Sequence, residues 1–188
     1  MKKEIQGKIE NHVKSILKLI GENPNREGLK ETPKRVAKMY SEIFSGLDKA
    51  TEPAVTVFKN IEQYDELICE TNIEFHSSCE HHLVPFFGKI HIGYIPDKHY
   101  VGLSKLARIS DYFSHKPQVQ ERLTTEIADY VMKKMKPLGC IVVIEAEHLC
   151  MSMRGVRKPR HSTVTSAILG NIDKNEFFKI LQLAKRNK

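Results

Sequence analysis

Apolar side chains recur at Ile5, Ile9, Val13, Ile16, Leu17 and Ile20, a spacing that predicts an amphipathic helix over residues 4–21. A loop is expected over 21–29. Thr32-Pro33 then reads as an N-cap followed by proline at the first helical position, with Val36, Met39, Tyr40, Ile43 and Phe44 as the apolar stripe of a helix that stops at Gly46. From Val55 the period changes. Leu67, Cys69, Thr71, Ile73 and Phe75 alternate with Ile68, Glu70, Asn72 and Glu74, which predicts a strand. Residues 86–95 predict a second, with Ile90, Ile92 and Tyr94 on one face. Two helical segments follow, about 103–115 and 118–135, broken at Lys116-Pro117. Residues 140–146 predict a buried strand, a further strand is expected through about Gly155, and a short one near 163–169. Asp173 with Glu176 makes a capping box for a last helix ending in basic residues.

Strands grouped around a central helical pair indicate an α+β fold, with helices packed on one face of an antiparallel sheet. So small a sheet exposes an edge, which an oligomer would protect. A chain of 188 residues suffices for one domain with a real core. Residues 1–50 are expected to form an N-terminal helical region and 51–188 the main domain.

Composition narrows the classes. The longest apolar stretch, 141–144, is far too short to cross a bilayer, so no membrane partner is expected. The N-terminus soon alternates charged and apolar residues and carries no export core. The expected location is therefore the cytoplasm, where metal binding or catalysis outranks disulfides as the use of four cysteines. The formal charge of +7 suits nucleic acid, anionic membrane or a small polyanion, and cannot choose among them. The tail Lys185-Arg186-Asn187-Lys188 reads as solvated surface.

Two clusters carry metal chemistry: Cys79-Glu80-His81-His82 and His148-Leu149-Cys150. A thiolate and an imidazole three residues apart reach one ion from a single loop, and Cys150 can close the set from a distant strand. Cys79, His82 and Cys150 make a Cys₂His site of the kind that holds catalytic zinc, with water in the fourth position. Spacing leaves open whether His148 instead supplies a fourth ligand and closes a structural site. His81 cannot easily share the ion with adjacent His82, so it is free for proton transfer. Cys69 and Cys140 read as small buried hydrophobes.

Arg35 and Lys38 share a helix face. Ser104, Lys105 and Arg108 open another helix, where backbone N–H groups also favour an anion, and Arg154 follows Cys150 by four residues. Each cation alone reads as surface charge; a polyphosphate would need several to converge. Gln120-Glu121-Arg122 opens the second central helix. A carboxylate there suits two adjacent N–H donors such as guanine presents, although the pattern alone favours a first-turn acid placed for the helix dipole.

With these residues in view, the chain resembles the GTP cyclohydrolase I family over residues 25–170. The matching stretches are Thr32-Pro33-Lys34-Arg35-Val36-Ala37-Lys38-Met39-Tyr40, Cys79-Glu80-His81-His82-Leu83-Val84-Pro85-Phe86 and Gly102-Leu103-Ser104-Lys105-Leu106-Ala107-Arg108. They continue with Pro117-Gln118-Val119-Gln120-Glu121-Arg122-Leu123-Thr124 and His148-Leu149-Cys150-Met151-Ser152-Met153-Arg154-Gly155-Val156. The resemblance implies a tunnelling fold whose subunits close an oligomeric barrel, a homodecamer of two pentameric rings with active sites between subunits. It implies zinc on Cys79, His82 and Cys150, guanine held by Glu121 with Gln120, triphosphate held by Arg35, Lys38, Lys105, Arg108 and Arg154, and Ser104 near the ribose. The implied reaction is the first step of tetrahydrofolate and pterin synthesis. Zinc-activated water attacks C8 of GTP while His81 protonates N7, and a second hydration assisted by His148 releases formate. Ribose opening, Amadori rearrangement and closure give 7,8-dihydroneopterin triphosphate. The stretch Arg157-Lys158-Pro159-Arg160-His161 is more basic than the family pattern leads one to expect.

Two other classes fit parts of this pattern. One is a related tunnelling-fold enzyme acting on another purine or pterin, such as a pterin synthase or a nitrile reductase. The other is a zinc-stabilised nucleic-acid-binding module, but no aromatic-rich basic strip or recognised motif supports it, and nucleic acid is not expected as a partner.

Overall fold

The structure is a computed structural model and describes residues 2–186. Asn187 and Lys188 of the basic tail lie outside them. Helices α1 (Lys3–Leu19) and α2 (Thr32–Ile43) pack on one another, with Gln6 Nε2 donating to Ser41 Oγ at 2.8 Å. Helix α1 buries no residue, and the amphipathic stripe leaves Ile16, Leu19 and Ile20 exposed. Thr32 is not the N-cap. The helix starts there, after a Glu31 whose backbone is already helical, because Arg26 to Thr32 is a run of turns in which Lys30 N–H donates to Arg26 O and Thr32 N–H to Leu29 O.

Two 3₁₀ turns, Ser45–Leu47 and Lys49–Thr51, lead to β1 (Val57–Lys59). The main elements follow: β2 (Ile68–Cys79), β3 (Pro85–Ile95), β4 (His99–Val101), α3 (Leu103–Ser114), β5 (Pro117–Gln118), α4 (Gln120–Met135), β6 (Gly139–His148), α5 (Leu149–Ser152), β7 (Thr163–Gly170) and α6 (Lys174–Arg186). Strands β1 and β4 pair by themselves; the other five form one sheet in the order β5-β2-β3-β6-β7, antiparallel except for the short β2–β5 contact.

Helices α3 and α4 cover one face. Leu106 and Ile109 of α3 and Leu123, Ile127 and Val131 of α4 meet Phe86, Ile90, Ile92 and Ile144 of the sheet, all at 0% exposure. Each side chain buried in this way contributes about 1.5–3 kcal/mol. Helix α6 lies on the opposite face, where Phe177 and Leu181 cover Leu67, Ile141 and Val143. The sheet is therefore covered by helices on both sides rather than one, and this is why the run from Cys140 to Ile144 is buried at every position instead of alternating. Helix α6 approaches β3 so closely that a Cβ on Gly93 would sit 2.6 Å from the Phe177 ring.

Two boundary expectations change. The second central helix begins at Gln120, because Pro117 and Gln118 pair with the end of β2 first. Beyond His148 there is no strand but the single helical turn α5, closed by Met153 N–H to Leu149 O. The partner β3 runs out beside His148, and β7 joins β6 only from Ala146 inward, so the backbone bonds must close locally. At α6 the capping box is half formed. Asp173 accepts from Asn175 N–H at 2.8 Å, one residue earlier in the turn than the box requires.

Candidate active site

Strand β2 returns to β3 through a tight loop that begins at Cys79. Cys79 N–H donates to Val84 O at 2.9 Å, and Leu83 N–H donates to Cys79 O at 2.7 Å. Leu83 adopts φ +54°, a left-handed conformation that costs a non-glycine residue about 1–2 kcal/mol. Glu80 N–H donates to Gln118 O at 3.0 Å, and the Glu80 carboxylate pairs with Arg122, so the loop is tied to the start of α4.

In this loop Cys79 Sγ lies 3.9 Å from His82 Nδ1 and 3.8 Å from His81 Nδ1. The turn α5 folds Cys150 back onto them. Cys79, His82 and Cys150 then offer ligand atoms all within 4.8 Å of one another. Burial, and next the neighbouring Cys79 thiol, push the Cys150 thiol up, because two thiolates side by side repel without a cation between them. A divalent ion reverses that balance, and two sulfurs with one imidazole are a donor set that suits zinc. The residues fit the metal. Cys79 is buried, Cys150 half-buried and His82 exposed, so the group faces solvent on one side. Arg154 Nη1 stands 3.0 Å from His82 Nε2 at that side.

His148 is not one of the converging ligands. Its Nε2 lies 2.8 Å from Gln120 Oε1, its ring stacks on Phe86 at 4.7 Å and 0°, and its backbone N–H donates to His161 Nε2 at 3.3 Å. Burial holds the His148 pKa below the usual imidazole range, His161 adds to this, and Glu121 opposes it. Glu121 is exposed in the first turn of α4, close enough to His148 for that charge to be felt. Gln120, expected beside the purine, is 1% exposed and fully engaged inside the protein.

Of the expected anion ligands, Arg154 reaches the metal group. Ser104, Lys105 and Arg108 sit on the first turns of α3, and Arg35 and Lys38 are exposed on α2. Among the described residues these four cations make no side-chain hydrogen bond or ion pair. Cys69 and Cys140 are packed in the two cores, and burial pushes their thiols up to about 11 and about 12.

The residues that sequence reading passed over are those that hold others in place. His161 donates from Nδ1 to Lys158 O at 2.8 Å and accepts from His148 N–H, pinning the basic loop to the end of β6. Its place in the stretch of unusual basicity was the one signal available. Thr124, Thr165 and Arg122 gave none, since Thr165 lies 41 residues from Thr124 and Glu80 lies 42 from Arg122.

The fold and this site define an α+β enzyme with a Cys–His–Cys group able to hold one metal ion. The model of the GTP cyclohydrolase I family matches residues 9–185. The chain is 49% identical over 186 residues to GTP cyclohydrolase 1 of Sulfurihydrogenibium sp. (strain YO3AOP1), covering 96% of this chain and 97% of that one. It is 54% identical over 171 residues to the enzyme of that name from Pelotomaculum thermopropionicum (90% of each chain), and 52% over 176 residues to that of Clostridioides difficile (93% of each). This chain belongs to the GTP cyclohydrolase I family and is an enzyme of that family. Among solved structures, the apo form of the archaeosine synthase QueF-Like aligns with 57% of this chain and 96% of its own at 13% identity and a TM-score of 0.48, a likeness too slight to build on.

Proposed function

We propose that the chain converts GTP and water to 7,8-dihydroneopterin triphosphate and formate on a zinc ion held by Cys79, His82 and Cys150. The observation that carries this reading is the convergence of those three side chains from two separate elements, in a chain matched to the family over almost its whole length. When bound, zinc supplies Lewis-acid chemistry that makes water a nucleophile near neutral pH.

The protein's own groups orient the purine and move protons. Glu121 accepts from N1–H and the N2 amino group of guanine, which directs C8 toward the metal group. His81, exposed beside Cys79, delivers a proton to N7 as the imidazole ring opens. His148 assists the second hydration that releases formate. Arg154, Lys105 and Arg108, with Arg35 and Lys38, neutralise the triphosphate, and Ser104 lies near the ribose. Gln120 was expected at the purine; its buried amide favours a different part in the reaction.

A homodecamer of two pentameric rings, closing a barrel of the tunnelling fold, accounts for two features. The sheet has open edges on both sides: β7 pairs only with β6, and β2 meets β5 only at Ser78 and Cys79. Val164 and Ile168 are exposed on β7. The metal group also lies open, with room for a neighbour's Arg35 and Lys38. Residues 1–50 are the N-terminal helical region and 51–188 the catalytic domain in this reading. The cytoplasm is the proposed location; no helix among the described residues is long and apolar enough to cross a membrane. Formate and a fluorescent pterin after oxidation, produced from GTP, test the activity; their absence with metal-replete protein overturns it.

A further inference from the structure

We infer that Gln120 is a positioning residue that locks His148 in one tautomer, with hydrogen on Nε2 and Nδ1 left as the working atom, and that its side chain does not contact the purine. This rests on the part proposed above for His148. The lock follows from the partners of the Gln120 amide. Its Nε2 lies 2.9 Å from Ile144 O, 3.0 Å from Thr163 O and 3.1 Å from Thr165 Oγ1. Carbonyl oxygens only accept, so the NH₂ end must face them and Oε1 must face His148. An amide oxygen cannot donate. The 2.8 Å contact to His148 Nε2 therefore needs the hydrogen on the imidazole.

The amide cannot flip to serve both partners, because a ring of hydroxyls holds it. Thr124 Oγ1 donates to Gln120 O at 2.7 Å, Thr165 Oγ1 donates to Thr124 Oγ1 at 2.6 Å, and Gln120 Nε2 donates to Thr165. The ring lies between the first turn of α4 and the paired strands β6 and β7, where Ile144 faces Thr165; Gln120 and Thr124 are buried and Thr165 is half-buried. Phe86, stacked on the imidazole, fixes its plane. Nothing remains of the Gln120 side chain to meet a ligand: the residue is 1% exposed and both ends of its amide are taken.

The test uses the zinc-loaded enzyme. In neutron diffraction from deuterated crystals, a deuteron on His148 Nε2 aimed at Gln120 Oε1, with Nδ1 bare, is expected; a deuteron on Nδ1 overturns the lock. Gln120→Met should lower kcat about 10- to 100-fold while KM for GTP and zinc content stay near wild type. A raised KM at unchanged kcat would mean a purine contact and overturns the proposal, as does an unchanged kcat. If Gln120→Met does not fold, the neutron result alone decides. His148→Ala at wild-type kcat would instead remove the catalytic reading of His148, a separate failure that leaves the tautomer measurable.

Discussion

Arg122 and Glu80, 42 residues apart, form an ion pair that ties the first turn of α4 to the metal loop. Arg122 Nε also donates to Gln118 Oε1 at 2.8 Å, and Gln118 Nε2 donates to Glu126, which Lys116 pairs at 2.9 Å. One member of the pair lies between Cys79 and His82; the other adjoins Glu121. The bridge thus sets the distance between the metal group and the proposed purine anchor.

Arg122→Ala should lower kcat/KM roughly tenfold, because groups that orient a metal loop act on its geometry. Thermal stability should barely move: both side chains are partly exposed, 42% and 34%, and such pairs contribute about 0–1 kcal/mol. The exchange Glu80→Arg with Arg122→Glu should recover part of the rate. An Arg122→Ala enzyme with wild-type kcat/KM ends this reading of the bridge.

Elemental analysis of metal-replete protein should find about one zinc per chain, as expected for the one Cys₂His group among the described residues. A chelator should abolish turnover and leave the far-ultraviolet circular dichroism largely intact, since Cys79 and Cys150 only border a core that the sheet and helices α3 and α4 fill with apolar side chains. Cys150→Ala should behave alike, folded and inactive. Full activity in metal-free protein would defeat the mechanism.

Glu121→Ala should lower kcat/KM for GTP by roughly 100-fold or more, the usual penalty when a site built for hydrogen-bond donors loses its acceptor. His81→Ala should stop ring opening with zinc still bound. Formate release at the wild-type rate from the second variant would assign the N7 proton to another group.

Alkaline pH should weaken the fold through its buried thiols. Burial raises Cys69 to about 11 and Cys140 to about 12, above the ordinary value of about 8.5. A raised folded-state pKa means that the neutral form is favoured in the native state. The contribution is complete below about 8.5 and is lost as pH climbs through those folded values. The unfolding midpoint should therefore fall steadily across that range, and less steeply in Cys69→Ala. Equal slopes in the two proteins would contradict the assignment.

Much of this was present in the linear chain. The 3.6-residue rhythm of Leu123, Ile127 and Val131 marks the face that α4 buries, and the period of two at Ile90, Ile92 and Tyr94 marks the face that receives it. The three-residue step from Cys79 to His82 marks two candidate ligands in one loop. These are properties of a residue and its near neighbours, and local spacing encodes them.

Tertiary structure decided whatever depends on which distant group is available. Leu149, Met151 and Met153 alternate as a strand would, yet they form and follow a helical turn, because no strand lies beside them to take their hydrogen bonds. Gln120 and Glu121 are adjacent polar residues that read alike in sequence. Docking of α4 against β6 and β7 consumes the amide of the first and leaves the carboxylate of the second exposed. Periodicity determines which side of an element is apolar, but a polar group's task is set by the partner that folding brings within about 3 Å of it, and sequence spacing holds no record of that partner.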